Sequence, residues 1–165
     1  MVAVVYIHKY MKSINPEAMT NKGNQGIEQE EKFVVKEDDG IYDRFYCNIY
    51  DGLVRDKTKN RFEIDEIIKL ANPKKTSKIL DVGSGTGHHV KDLNRRGYDA
   101  VGLDKSPHMI AKARHNYPEY KFVNGDVLDF MMFPTNEFTH ITCLYFTIYH
   151  IQDKTRFFKN VHDWL

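Results

Sequence analysis

Cysteine is scarce in this chain of 165 residues. There are two, Cys47 and Cys143, far apart and without CxxC spacing. That excludes a disulfide framework and a zinc-ligating pattern, and it suits a reducing, cytoplasmic compartment. A surplus of either charge is also missing: 24 Lys and Arg stand against 23 Asp and Glu, for a formal net charge of +1. The total therefore gives no sign of a strongly basic nucleic-acid or membrane surface. Long apolar runs are absent as well. The opening "MVAVVYIHKYMKS" has a short apolar stretch, but no charged segment precedes it and no small-residue cleavage site follows. It is too short to span a bilayer. No internal repeat is present. What is there is an ordinary globular composition, 41% hydrophobic and 28% charged, at a length that suits one domain with an extra segment.

Composition changes along the chain. Residues 2–7, "VAVVYI", are β-branched and aromatic and are expected to form a short strand. Asn15 to Gly40 is polar and charged, with "EQEEK" a solvated face, so residues 1–40 read as an N-terminal arm or linker. From residue 41 onward order is expected. Ile64, Ile67, Ile68 and Ala71 fall at helical spacing, ended by Pro73. Strands are then expected at 78–83, 100–104, 121–126 and 138–146, the last too apolar to be half-exposed. Between them lie "GHHVKDLNRRG", a helix stopped by Gly97, and "SPHMIAKARHNYP", a helix with Ser106 as N-cap and Pro107 in its first turn. A last helix, "DKTRFFKNVHDWL", carries Phe157, Phe158, Val161, Trp164 and Leu165 at helical spacing. Apolar strands alternating with helices predict an α/β fold, a Rossmann-like three-layer sandwich around a parallel sheet. Ligands of such sheets sit at the carboxyl ends of the strands.

That edge holds "DVGSGTG", Asp81 to Gly87, with three glycines in five residues. A phosphate-binding loop of the triphosphatase type needs Lys-Ser or Lys-Thr after its glycines, and neither is there. A dinucleotide fingerprint needs G-x-G-x-x-G; counted from Gly83 and Gly85, its third position is His88. Asp104 ends the second strand, 21 residues after Gly83. An ionised carboxylate there accepts ribose hydroxyls, in dehydrogenases and elsewhere. The pair His88-His89 reads as no metal site, because adjacent helix positions point about 100° apart and no third ligand is near.

Four pieces in order, "ILDVGSGTGHH", "VGLDKSPHMI", "FVNGDVLDF" and "ITCLYFTIYHI", closely resemble the motifs of the class I S-adenosylmethionine-dependent methyltransferases, in particular the small-molecule branch. The resemblance covers Ile79 to Ile151. It implies S-adenosyl-L-methionine as cofactor. It implies that Gly83, Ser84, Gly85 and Gly87 curl under the methionine portion, with Asp81 near its ammonium group. Asp104 would take the ribose. Lys105 and Met109 would flank the adenine, with Asp126 and Val127 at the adenine edge. Tyr145 would belong to the pocket wall, while Tyr149 and His150 would stand where the acceptor enters and are the candidate catalytic residues. Tyr42, Tyr46 or Tyr50, in a tyrosine-rich segment before the domain, would close over the cofactor.

The family's sheet has seven strands, and the resemblance implies that strands five to seven lie outside this chain. A four-stranded sheet of order 3-2-1-4 is expected, with strand four on an edge open to self-association or to a donated strand. Residues 41–165 are then a partial domain, the cofactor-binding half. "LYFTIYHI" replaces the Asn/Asp-Pro-Pro-Tyr type of sequence used for amino groups of nucleic-acid bases, which points to a small-molecule acceptor and away from nucleic acid. The alternatives are a non-catalytic cofactor-binding or partner-binding module and, more remotely, a nicotinamide-dependent oxidoreductase.

Overall fold

A computed structural model describes residues 38–165. The strand expected over 2–7 lies outside the described residues, as does the expected arm, except for residues 38–40. A 3₁₀ turn, Asp38–Ile41, leads into α1 (Arg44–Val54) and α2 (Lys57–Ala71). Alternation follows: β1 (Lys78–Val82), α3 (His88–Arg95), β2 (Asp99–Asp104), α4 (Pro107–Asn116) and β3 (Lys121–Asn124). A 3₁₀ turn, Phe130–Met132, precedes β4 (His140–Cys143), a single helical turn α5 (Thr147–His150) and α6 (Lys154–Trp164). Among the described residues no helix is long and apolar enough to cross a membrane.

Local chemistry sets the helix ends. The side chains of Asp43, Asp56, Ser106 and Asp153 each accept a backbone N–H of the helix they precede, satisfying donors that have no partner within the helix. Pro107 occupies the first turn of α4, where its missing N–H is harmless. Gly97 ends α3 with φ +83°; its N–H reaches Asn94 O, and Tyr98 N–H reaches Leu93 O. That is the left-handed termination that glycine favours.

The sheet has the order β3-β2-β1-β4, and every pair is parallel. Alternation along each strand separates two cores. Ile79, Ala100 and Phe122 face Ile64, Val90, Leu93, Ile110 and Ala113 of α2, α3 and α4. Leu80, Val82 and Leu103 face Phe138, Phe157 and Trp164 on the other side. Burying one such large side chain contributes roughly 1.5–3 kcal/mol. In α6, Phe157 and Trp164 reach this core, whereas Phe158 is exposed.

Strand four departs from expectation. It runs over four residues, not nine, and all four are half-buried. Among the described residues only β1 pairs with it. At its far end Tyr145 takes a left-handed φ of +58°, which turns the chain out of the sheet and into α5.

Candidate active site at the carboxyl ends of the strands

Gly83, Gly85 and Gly87 have φ values of +70°, +53° and +86°, a region that side chains with a Cβ rarely adopt. The N–H groups of Gly83 and Ser84 donate to Leu103 O, at 2.8 and 3.1 Å, so the loop leans onto the end of β2. Gly85 N–H donates to Asp104 Oδ2 at 2.8 Å. A Cβ on Gly83 would strike the side chain of Thr147, and one on Gly87 would strike the ring of Phe122. Above Gly85 the space is open, as a cradle for a ligand's backbone-close portion requires. Ser84 points the other way. Its hydroxyl is buried without a hydrogen-bond partner and lies over Gly102, where a Cβ would come within 2.6 Å of it.

Asp104 closes the loop from β2. Its Oδ1 accepts Ser106 N–H at 2.8 Å, so the carboxylate is held by the turn into α4 as well as by Gly85. From β3, Asn124 Nδ2 donates to the carbonyls of Asp104 and Lys105, both at 2.9 Å. Lys105 is exposed and pairs with Asp126 Oδ2 at 3.3 Å, while Asp126 Oδ1 accepts Leu128 N–H. The ends of β1, β2 and β3 thus converge as the sequence suggests. Val127 and Met109 are both buried; the Val127 carbonyl accepts Asn160 Nδ2 of α6.

Asp81 is buried under this edge, 2% exposed. Burial pushes its carboxyl pKa up, against the pull of His89 and of the Thr142 hydroxyl, which donates to Asp81 Oδ1 at 2.7 Å. Thr142 is its register partner on β4. His89 is held in turn by Glu63 Oε2 at 3.1 Å. Tyr145 points into the same polar group rather than over the glycines. Its ring meets His89 at 6.0 Å edge-on, its hydroxyl reaches Asn60, and Lys59 Nζ stands 3.1 Å from its centroid. Cys143, next in β4, has its thiol pushed up to about 11 by burial and by the charge of Asp81, so it is a thiol and no nucleophile near neutral pH.

A second polar group ties α1 to the loop. Asp51 Oδ1 accepts the Thr86 hydroxyl at 2.6 Å and lies 3.0 Å from His88 Nε2, whose Nδ1 meets the Tyr117 hydroxyl at 2.6 Å. His88 and His89 therefore diverge to α1 and α2, and no metal-holding group of side chains occurs among the described residues. Ser106 Oγ donates to the carbonyl of Tyr42, which sets the start of α1 beside Asp104. Tyr42, Tyr46 and Tyr50 follow one another edge-on at 5.8 Å. Burial and then Tyr42, Tyr46, Tyr145 and Asp104 raise the Tyr50 phenol well above its ordinary value. Tyr149 and His150, on α5, are exposed; His150 Nε2 lies 3.4 Å from the Tyr42 hydroxyl.

Several residues of the site have no role that the sequence motifs assign. Gly102, Thr142 and Thr147 matter only through register and loop closure. Asp51 is one acid among many until α1 is placed; its signal in the sequence was its position on the tyrosine-rich segment.

The model of the methyltransferase domain matches residues 79–165. A dTDP-3-amino-3,6-dideoxy-alpha-D-glucopyranose N,N-dimethyltransferase of Streptomyces fradiae is 29% identical over 64% of this chain and 40% of its own length. A glycine/sarcosine N-methyltransferase of Parasynechococcus marenigrum is 29% identical over 58% of this chain and 39% of its own. Among solved structures, a TehB-like S-adenosylmethionine-dependent methyltransferase of Corynebacterium glutamicum superposes with a TM-score of 0.59 at 25% identity, covering 77% of this chain and 66% of that one. The chain thus spans about two fifths of the length of the two curated relatives. With half of its residues inside the family's domain and its glycine loop and strand-end carboxylates converging on one edge, the chain belongs to the methyltransferase domain family, within the class I S-adenosylmethionine-dependent methyltransferase superfamily.

Proposed function

We propose that this chain forms the cofactor-binding half of an enzyme that methylates a small molecule. The observation that carries this reading is the bond from Gly85 N–H to Asp104: it joins an open glycine cradle to an acceptor-only carboxylate at adjoining strand ends. S-Adenosylmethionine supplies an already activated methyl group. The cradle Gly83, Ser84, Gly85 and Gly87 then takes the methionine portion through backbone atoms. Asp104 accepts the ribose hydroxyls, and Asp126 with Val127, Lys105 and Met109 frames the adenine. Asp81 fits a ligand ammonium: a buried carboxylate with a raised pKa gains most from a cation brought beside it. What remains for the protein is to hold the acceptor in line. An acceptor that must shed a proton would find a base in His150 or Tyr149, whose exposure suits the mouth of the site. The named relatives act on an amino sugar and on glycine or sarcosine, which supports a small acceptor. Free cysteines suit a reducing, cytoplasmic setting.

Calorimetric titration tests the reading. S-Adenosylhomocysteine is expected to bind with micromolar affinity and NAD not at all. Asp104→Ala should weaken the former at least tenfold. Binding should also weaken as the pH falls through the raised pKa of Asp81, because protonation removes the charge that faces the ammonium; Asp81→Asn should bind weakly and flatten the profile. A folded chain that binds NAD and not S-adenosylhomocysteine would overturn the proposal.

A further inference from the structure

The outer flank of α3 faces the end of α1 and the start of α2 across a cleft of about 350 Å³. Its walls carry Arg55 from the end of α1, Lys57 and Arg61 from α2, and Lys91, Arg95 and Arg96 from α3 and its cap. The lining contains one carboxylate, Asp92, and it is taken by Lys91 at 2.5 Å. Arg96 pairs with Asp65 at 2.6 Å. Arg55, Lys57, Arg61 and Arg95 make no ion pair among the described residues, and Arg55 acts on Asp51 only through its field. The other acids near the cleft are engaged elsewhere: Asp51 by Thr86 and His88, Glu63 by Lys59 and His89.

A chain with a net charge of +1 therefore gathers four unneutralised cations from three helices around one concavity. Like charges so placed repel, and a surface that merely keeps a protein soluble intersperses the two signs. An anion seated among them removes the repulsion. Guanidinium groups present forked donors that match phosphate oxygens two at a time. The cleft has room for a short phosphoanion. It is poorly equipped to hold a single nucleic-acid strand: no Phe, Tyr or Trp lines it for base stacking, and its one aromatic ring, His88, is held between Asp51 and Tyr117.

We propose that this cleft binds a soluble phosphoanion of diphosphate size. The site is separate from the cofactor edge and stands or falls independently of the methyl-transfer reading. The anion would clip α1 and α2 to α3, the helix that begins at the glycine loop.

Titration of the full chain with inorganic pyrophosphate is the test. Micromolar binding is expected at low ionic strength, weaker at physiological salt. Arg61→Gln with Arg95→Gln, both on exposed side chains, should weaken it at least tenfold while circular dichroism stays unchanged. Lys121→Gln with Arg156→Gln removes the same charge elsewhere on the surface and should leave the affinity intact. Three outcomes would overturn the proposal: no binding by the folded wild-type chain, equal loss in both double variants, or retention of duplex RNA that pyrophosphate does not displace.

Discussion

Gly102 sits in the middle of β2 with no left-handed conformation to require a glycine. What requires it is the side chain above. A Cβ would come within 2.6 Å of Ser84 Oγ and 2.8 Å of the Phe122 ring, and neither can withdraw: Ser84 is tied to the loop, and Phe122 is packed against Gly87. Gly102→Ala is expected to cost about 1–3 kcal/mol by overpacking and to lift the loop off β2. Melting temperature and S-adenosylhomocysteine affinity should fall together. Gly52, in α1, is the control: nothing lies within 4 Å of its would-be Cβ, so Gly52→Ala should stabilise by about 0.5–1 kcal/mol. A loss of stability at Gly52, or none at Gly102, would contradict these packing arguments. At this scale the glycine loop, Asp104 and Asp126 were legible because each belongs to a contiguous motif. Gly102 stands in the same motif as Asp104, but its role was not legible, since its constraint arises from Phe122, its register partner on β3, and from Ser84 above it. The direction of Tyr145 was equally hidden, being set by a left-handed backbone that no sequence pattern announced.

Among the elements, α1 is held to the domain in an unusual way. Cys47 is its only buried residue, and Phe45 and Leu53 are 72% and 66% exposed. Its attachment is therefore largely polar: Asp51 to Thr86, His88 and Asn116, and the Tyr42 carbonyl to Ser106. Burial pushes Asp51 up, but the bonds from His88 and Thr86 outweigh it and hold the carboxyl below its ordinary value. The stabilisation it contributes is thus present above that ordinary value and is lost as the pH falls through the lowered one. Asp51→Ala leaves His88 and Thr86 without their shared acceptor and should cost about 1–3 kcal/mol. Hydrogen exchange is expected to speed up in α1 while the amides of β1 and β2 stay protected. Uniform acceleration would mean that α1 is part of the global core after all. Capping residues and apolar spacing made the helices legible, and strands one to three differ from expectation only at their ends. Strand four was overestimated because an apolar run reads the same whether it continues as a strand or turns into a helix.

For the whole molecule, sums mislead where arrangements decide. A net charge of +1 gave no hint of the basic cleft, because addition discards position. The same holds for the sheet. Its apolar content indicated burial, yet topology leaves the outer side of β4 without a paired strand among the described residues. The backbone there has a definite orientation. Gly83 N–H donates to Leu103 O in β2, so alternation turns Leu80 towards β4; in the register of Ile79 with His140 the amides of His140 and Thr142 then face β1, and those of Ile141 and Cys143 turn outward. An edge with free donors and half-buried apolar neighbours is a template for another strand. The chain is therefore expected to self-associate in sedimentation velocity, with a mean mass that climbs with concentration. Ile141→Pro removes an outward N–H and breaks no backbone bond to β1, so it should return the chain to monomer without loss of S-adenosylhomocysteine binding. If the wild-type chain stays monomeric as its concentration is raised, the edge is protected. If Ile141→Pro associates as strongly as the wild type, the contact lies on another surface, and the exposed apolar side chains Phe45 and Leu53 of α1 become the place to substitute next.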